Sequence, residues 1–169
     1  MDLKFRNLNA NEIECRVNQI NEKGLSLLLY KDARCDMNIL DETVGAMNWQ
    51  RKHDRDNANC TVSIYDSERN IWVSKEDTGV ESFSQAEKGL ASDSFKRACV
   101  NWGIGRSLYS SPFIYISANN CNITKNQKGN FITKDKFEVE IIKYDENQNI
   151  VALSIINQNK ERVFVWKKN

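Results

Sequence analysis

The chain has 169 residues, of which 40% are hydrophobic and 28% are charged, and its formal net charge is +1. This length allows one sizeable core, so we expect a single domain over residues 1–169. The first residues include acids and form no apolar h-region, which argues against a secretory signal, and no run approaches the ~18 apolar residues of a membrane span. We therefore expect a cytoplasmic protein without a membrane partner.

The cysteine and histidine content argues against several kinds of site. The five cysteines are spaced by 20 residues or more, and His53 is the one histidine. This spacing argues against a disulfide framework and a zinc site, and a single histidine cannot form a multi-histidine metal centre. We expect buried thiols in a reducing compartment, with no metal and no cofactor.

Charge is distributed unevenly along the chain. Residues 1–93 contain 12 basic and 17 acidic side chains, residues 94–134 contain six basic and no acidic ones, and residues 135–169 contain six of each. A block without acids is typical of a polyanion-binding surface, but it also occurs on an ordinary solvated face. Both interpretations stay open at this point.

The N-terminal part predicts a helix and then a strand. Ile13, Val17 and Ile20 recur at helical spacing behind asparagine caps, which predicts a helix over residues 9–20. After Gly24, the apolar run "LSLLLY" predicts a strand.

A second helix and a meander follow. The segment "DARCDMNILDETVG" predicts a helix that Asp32 caps and Gly45 ends, with an inward face made by Cys35, Ile39 and Leu40. The runs "MNWQRKH", "CTVSIYD" and "NIWVSKE" are separated by turn-forming residues, so they predict a three-stranded antiparallel meander over residues 47–75.

The strongest helix signal lies in the middle of the chain. Ser84 and Glu87 form a capping box in "SQAE". One apolar arc follows, and Gly103 and Gly105 supply the positive φ that ends the helix. The arc consists of Ala91, Phe95, Ala98, Cys99 and Trp102.

The C-terminal part predicts further strands. "FIYIS" is one, "KFEVEIIKYDENQNIVALSIINQNKERVFVW" contains three, and residues 119–134 form an exposed loop or hairpin. The fold class is therefore α+β, with helices, an antiparallel β-meander in a β-β-β-α core, and additional C-terminal strands.

The sequence indicates no catalytic constellation. "GIGRS" matches neither of the glycine-rich phosphate-binding patterns, so ATP hydrolysis is not expected. The acids of "DETVG" and "KEDTGVE" are typical of helix ends and turns, although a metal-dependent nuclease stays a distant alternative. We expect a DNA-binding protein and not an enzyme.

Two basic sets are candidates for nucleic-acid contact. Lys96 and Arg97 lie near Asp93 on the helical wheel, so they form either an exposed ion network or a contact for a polyanion. The second set is in "NWQRKHDR", where adjacent strand residues point to opposite faces, so that only part of the set shares one surface. This set is either a charged edge that discourages aggregation or a second contact for nucleic acid. It consists of Arg51, Lys52, His53 and Arg55.

The segment "EKGLASDSFKRACVNWGIGRSLY", preceded by "ARCDMNILDETVGAMNW", resembles the Rad52-like single-strand annealing proteins, and within them the short phage-encoded Sak type. The resemblance covers residues 33–116, and the strand-rich residues 119–169 lie outside it. It implies ATP-independent binding of single-stranded DNA and annealing of complementary strands in homologous recombination and DNA repair, by an oligomeric ring. The implied location is the cytoplasm of the bacterial host of a phage or prophage.

The resemblance also implies site residues and partners. Lys96 and Arg97 match the paired bases that contact the DNA backbone, and Arg34 matches an arginine that lines the same groove. Val100 replaces a further basic residue of some relatives, for which Arg106 compensates. The partners are single-stranded DNA, the annealed duplex, further copies of the chain, and a single-strand-binding protein or an exonuclease. The complete candidate DNA-binding set is Lys96, Arg97, Arg34, Arg106, Lys88, Arg51, Lys52 and Arg55.

Two other functions stay open at this point. A monomeric module for double-stranded nucleic acid would prefer duplex and would not anneal strands. An oligomeric scaffold without a nucleic-acid role would use Lys96 and Arg97 in salt bridges between subunits, so that replacing both would break the assembly.

Overall fold

A computed structural model describes the backbone of residues 3–80 and 86–168 and the side chains of residues 3–80 and 89–168. These residues form two compact units: the first unit is Asp32–Arg106 with the described residues before Leu8, and the second unit is Leu8–Lys31 and the residues from Ser107 onward. The strands and α-helices are β1 (Ile13–Asn21), β2 (Gly24–Lys31), α1 (Ala33–Val44), β3 (Trp49–Asp54), β4 (Asn59–Asp66), β5 (Ile71–Thr78), α2 (Ala86–Trp102), β6 (Ile114–Ser117), β7 (Thr124–Lys125), β8 (Phe131–Ile132), β9 (Phe137–Tyr144), β10 (Ile150–Asn157) and β11 (Arg162–Lys167). This order confirms the predicted α+β class with its meander and C-terminal strands.

Helix α1 begins and ends at the predicted residues. The Asp32 carboxylate accepts a hydrogen bond from the Arg34 backbone N–H at 2.7 Å, which satisfies an amide of the first turn. Gly45 follows the helix at φ 84°, in the left-handed region that glycine adopts without strain. The predicted inward face is also confirmed, because its three side chains are buried: Cys35, Ile39 and Leu40.

The predicted meander is confirmed as a three-stranded antiparallel sheet in the order β3-β4-β5. Helix α2 packs against β4 and β5. Its apolar arc supplies Phe95, Ala98 and Cys99 to the core of this unit, and β4 supplies Cys60, Val62 and Ile64. The predicted capping box at Ser84 and Glu87 lies outside the described residues.

Gly79 follows β5 where the chain passes close to α2. A Cβ atom at this position would lie 2.6 Å from the backbone nitrogen of Ser94 and 2.9 Å from the carbonyl oxygen of Leu90. Because both are backbone atoms of a packed helix, they cannot rotate away. We expect Gly79→Ala to lower the free energy of unfolding by about 1–3 kcal/mol, measured by urea denaturation.

Val80→Ala is the control for this variant, since the Val80 side chain is 66% exposed. It should change the free energy of unfolding by less than about 0.5 kcal/mol. Equal unfolding midpoints for Gly79→Ala and the unchanged protein would contradict the close approach.

The second unit is built on a six-stranded sheet in the order β11-β10-β9-β1-β2-β6. The two edge strands, β6 and β11, also contact each other, so the sheet curls towards closure. The core of this unit contains Leu25, Leu27, Ile114, Ile116, Leu153 and Ile155.

The helix predicted over residues 9–20 is wrong. Asn9 precedes only one 3-10 turn, Ala10–Glu12, in which the Glu12 carboxylate accepts the Asn9 N–H at 2.8 Å. The chain then enters β1, which pairs with β2 on one side and β9 on the other. The β-branched residues at helical spacing favour a strand equally well, and pairing with distant strands decides the outcome. A register shift between Val17 and Gln19 also removes the strict alternation by which a strand is recognised.

Residues 119–134 contain a short hairpin, because β7 and β8 pair antiparallel. The three strands predicted after it are confirmed as β9, β10 and β11. No described helix is long and apolar enough to cross a membrane.

The five cysteines all lie among the described residues and none forms a disulfide. Cys35, Cys60 and Cys99 are buried as predicted, whereas Cys15 and Cys121 are half-buried. Burial raises the pKa of Cys60 to about 11, and burial together with the charge of Glu138 raises the pKa of Cys15 to about 12. Both thiols are therefore protonated and unreactive at neutral pH.

Candidate nucleic-acid interface

The orientation of α2 depends on Phe95, which is fully buried. The ring of Trp49 stacks on it with the centroids 6.1 Å apart, and the guanidinium of Arg51 lies 4.8 Å from its centroid. Phe95 is thus held by side chains from β3. Lys96 and Arg97 follow directly and are only half-buried, so the anchored residue and the two cations leave the helix in different directions.

Arg97 forms the ion pair that the local sequence predicts. Its Nε lies 3.1 Å from Oδ2 of Asp93, four residues earlier on α2. The same carboxylate oxygen accepts the backbone N–H of Val80 at 2.9 Å. Since both side chains of the pair are about one third exposed, the pair stabilises the fold only weakly and leaves Arg97 accessible to an anion.

Lys96 is not part of that network. It forms no ion pair with any residue in the described part of the chain. Its charge instead acts on Asp32 at the start of α1, where it helps to lower the pKa of the carboxyl group. The interpretation as an ion network is therefore confirmed for Arg97 and wrong for Lys96.

Arg34 lies beside the same carboxylate. Its guanidinium contacts Asp32 at 2.8 Å, and its side chain is 84% exposed. Hydrogen bonds from Arg34 are the main cause that lowers the pKa of Asp32 below its usual value, with the charge of Lys96 as a smaller one. Helix α1 contacts α2, so Arg34 and Lys96 lie on two helices that pack against each other.

We call Arg34, Lys96 and Arg97 the helix cluster. The described ion pairs of this cluster are those of Arg34 with Asp32 and of Arg97 with Asp93. All its members are at least partly exposed. A phosphate that approaches this surface meets cations whose described ion pairs are partly exposed and contribute little to stability.

Arg106 lies at the C-terminal end of α2 and is not a member of the helix cluster. Its guanidinium donates to the carbonyl oxygens of Val100 and Asn101 at 3.0 Å each, and so it binds the C-terminal end of α2. A cation at this end of a helix satisfies unpaired carbonyls and stabilises the helix dipole. Arg106 is exposed, but its charge is directed at the helix end.

The basic residues of β3 do not all share one surface, as predicted. Arg51 packs on Phe95 of α2, whereas the next residue, Lys52, pairs with Asp54 at 3.2 Å. Arg55 lies in the β3–β4 turn with φ 53° and is exposed. The backbone of Lys88 belongs to α2, but its side chain lies outside the described residues.

His53 takes part in packing between the meander and α2. Its Nδ1 lies 3.4 Å from Oγ of Ser94, which also donates to the carbonyl of Asn57 at 2.9 Å. Burial, followed by the charge of Arg51, lowers the pKa of His53 below its usual value. Among the described residues, no group of three or more His, Cys, Asp or Glu side chains has the arrangement of a metal site.

A family model described as "Rad52/22 family double-strand break repair protein" matches residues 4–128, well over half of the chain. The chain belongs to this family. Membership in the Rad52/22 family gives the protein a DNA-annealing role in recombination and repair, and the family consists of DNA-binding annealing proteins and not of classical enzymes. Neither the search of curated proteins nor the search of solved structures found a match.

The range of the Rad52/22 match is wider than the resemblance on residues 33–116. It includes every candidate DNA-binding residue, and it also includes β1, β2 and the first strand of the β7–β8 hairpin. The match ends at residue 128, whereas the resemblance ends at residue 116, and the strands β8, β9, β10 and β11 lie outside the match.

One carboxylate beside the helix cluster has no functional signal in the sequence. Asp32 has the signature of a helix cap only, yet its carboxylate also pairs with Arg34, and the charge of Lys96 helps to lower its pKa. The spacing of Asp32 and Arg34 is a local signal for this pair. The proximity of Lys96, 64 positions further along the chain, has no local signal.

Proposed function

We propose that this Rad52/22-family protein binds single-stranded DNA through the helix cluster and anneals complementary strands without ATP, as an oligomeric ring in the cytoplasm of a bacterial host, similar to the phage Sak type. The observation that carries the proposal is the packing of α1, which carries Arg34, on α2, which carries Lys96 and Arg97. The hydrogen bonds of Arg34 and the charges of Arg34 and Lys96 all lower the pKa of Asp32, which agrees with a position of these cations near each other.

The chemistry of the cluster suits a nucleic-acid backbone. Lysine and arginine neutralise phosphates and release counterions, which supplies binding free energy that does not depend on base sequence. A strand held by its phosphates keeps its bases available to a second strand. Pairing then contributes roughly 1.4 kcal/mol per stacked step, enough to drive annealing without a nucleoside triphosphate.

Self-association would make the small charge of the cluster sufficient. One subunit offers three clustered cations in a chain with a net charge of +1. Repetition around a ring would place these cations at regular intervals along one strand, and binding at several linked sites raises the total affinity strongly. A ring therefore accounts for how an almost neutral chain binds a polyanion.

The direct test is annealing of two labelled complementary oligonucleotides by the purified protein in the absence of nucleotide. The proposal expects faster annealing than the spontaneous reaction, preference for single strands over duplex in competition, and a multimer by light scattering. Preference for duplex without annealing would instead support the double-strand-binding alternative. A monomer that binds neither form in dilute buffer would contradict the proposal altogether.

Asp32→Asn is expected to strengthen binding of single-stranded DNA by roughly two- to fivefold, because it removes a carboxylate that competes with phosphate for Arg34 and Lys96. Asparagine retains the oxygen that caps α1. The measurement is fluorescence anisotropy of a labelled oligonucleotide.

Asp66→Asn is the matched control for this variant. Asp66 also accepts backbone N–H groups with Oδ1 and pairs with an arginine, Arg69, at 3.8 Å. It is the last residue of β4, away from the helix cluster in the sequence and on a different element. If both variants gain the same affinity for single-stranded DNA, the effect is one of net charge and Asp32 has no special role.

A further inference from the structure

The β7–β8 hairpin of the second unit has an unusual charge. Residues 122–134, which we call the basic hairpin, read "NITKNQKGNFITK" and contain three lysines and no acid. Lys125, Lys128 and Lys134 are all exposed. None of the three forms an ion pair with another described residue.

Three other cations of this unit form ion pairs with carboxylates. Lys160 pairs with Glu138 at 2.7 Å, and Arg162 pairs with Glu140 at 2.6 Å. Arg16 pairs with Glu14 at 2.6 Å. In the basic hairpin, by contrast, none of the three lysines pairs with a carboxylate of a described residue.

The hairpin is also ordered by its own hydrogen bonds. At its tip, the Asn126 side chain accepts the backbone N–H groups of Lys128 at 2.9 Å and Asn130 at 3.0 Å. At its base, the Asp135 carboxylate accepts the backbone N–H of Asn122 at 2.6 Å.

The Asp135 carboxylate also accepts Nε2 of Gln158 at 3.1 Å. Burial alone would raise the pKa of Asp135, but the hydrogen bonds from Asn122 and Gln158 outweigh it and lower the pKa. This carboxylate is thus held by neutral donors that fix the base of the hairpin. A preorganised element loses less conformational entropy when it binds a ligand.

The hairpin offers an aromatic ring together with its cations. Nζ of Lys125 lies 4.9 Å from the ring centroid of Phe131, directly across the strand pair. A cation beside an aromatic face is suited to a nucleotide, because the cation binds phosphate and the ring can stack on a base. An acidic protein segment would use the lysines alone, so the combination favours nucleic acid.

We propose that the basic hairpin is a second nucleic-acid-binding element, in which Lys125, Lys128 and Lys134 hold phosphates and Phe131 supports a base. The ligand is a sugar-phosphate backbone, which a single strand and the annealed duplex both present. The inference rests on the proposed function in one respect only, namely that the polyanion is DNA. It adds a site in the second unit to the helix cluster of the first.

The test compares two triple variants with equal loss of charge. The hairpin variant is Lys125→Gln/Lys128→Gln/Lys134→Gln, and the control variant replaces three other exposed lysines of the second unit, Lys143, Lys167 and Lys168, by Gln. Binding of labelled single-stranded and duplex oligonucleotides is measured at several salt concentrations. The hairpin variant is expected to bind more weakly, with the slope of log K against log salt reduced by about 2 for single strands, whereas the control keeps the original slope.

The two DNA forms identify the ligand. A larger loss on single strands assigns the substrate strand to the hairpin, and a larger loss on duplex assigns the annealed product. Unchanged slopes for the hairpin variant on both forms, or equal losses in both triple variants, would overturn the inference. Thermal unfolding of both variants shows whether folding is intact, as expected for substitutions of exposed residues.

The result is separable from the test of the helix cluster. The hairpin substitutions are measured both in the unchanged protein and in the Lys96→Ala/Arg97→Ala background. If only the helix variant loses binding, the inference fails and the proposed function stands. If only the hairpin variant loses binding, the basic hairpin is the binding site and the proposed role of the helix cluster fails.

Discussion

Replacing Lys96 and Arg97 together by alanine is expected to weaken binding of single-stranded DNA by roughly a hundredfold at low salt, because two charge-assisted phosphate contacts of about 1.5 kcal/mol each are lost. The salt dependence should also become shallower by about 1.4 in the slope of log K against log salt for each bound subunit. Annealing of complementary strands should fall with binding. Anisotropy titrations over a range of salt concentrations and a strand-annealing assay measure these effects.

Folding should not be affected to a similar degree. The ion pair of Arg97 with Asp93 is partly exposed and is worth at most about 1 kcal/mol, and Lys96 forms no ion pair with a described residue. Lys167→Ala/Lys168→Ala removes the same charge from exposed positions of the second unit and should retain annealing. If the Lys96/Arg97 variant instead loses its assembly while the control does not, the two residues serve a subunit contact and the scaffold alternative is favoured.

Phe95→Ala is expected to lower the free energy of unfolding by about 3–5 kcal/mol, the largest effect of any single substitution considered for this protein. Phe95 is 0% exposed, and the substitution leaves a cavity between α2 and β3. It also removes the ring on which Trp49 stacks and against which the guanidinium of Arg51 packs. Urea denaturation followed by circular dichroism gives the change in midpoint.

Phe113→Ala is a matched control, since it makes the same chemical change at a side chain that is 78% exposed. It should shift the free energy of unfolding by less than about 0.5 kcal/mol. A Phe95→Ala midpoint equal to that of Phe113→Ala would show that α2 is not anchored on the meander by this ring. The orientation of Lys96 and Arg97 could then not be explained by the burial of Phe95.

The parts of the fold that sequence predicted correctly are those with strong local signals. The start of α1 follows from a cap at Asp32, and its end follows from Gly45 at positive φ. The face of α2 that packs on the meander follows from a spacing of three and four residues between Phe95, Ala98 and Cys99. Each of these signals lies within a few residues of the structure it determines.

The wrong prediction of a helix over residues 9–20 has a long-range cause. Ile13, Val17 and Ile20 satisfy a helical period, but β-branched residues also suit a strand, and the chain becomes β1 because β2 and β9 pair with it. The β9 partner begins at residue 137, more than a hundred positions away. No local pattern reports such a pairing.

The candidate site likewise has some features that the sequence determines and others that only the tertiary structure determines. Sequence alone determined the residue types, namely adjacent cations on a long helix and an arginine at the start of α1. Only the tertiary structure decided what each one contacts: Arg106 lies on the carbonyls that end α2, Arg51 packs on Phe95, and Arg97 pairs with Asp93. Packing of α1 on α2 places Arg34 and Lys96 on two neighbouring helices, and this depends on residues far apart in the chain. Charge along a sequence is additive, but an anion-binding surface requires charges to be close in space, and folding alone determines that distance.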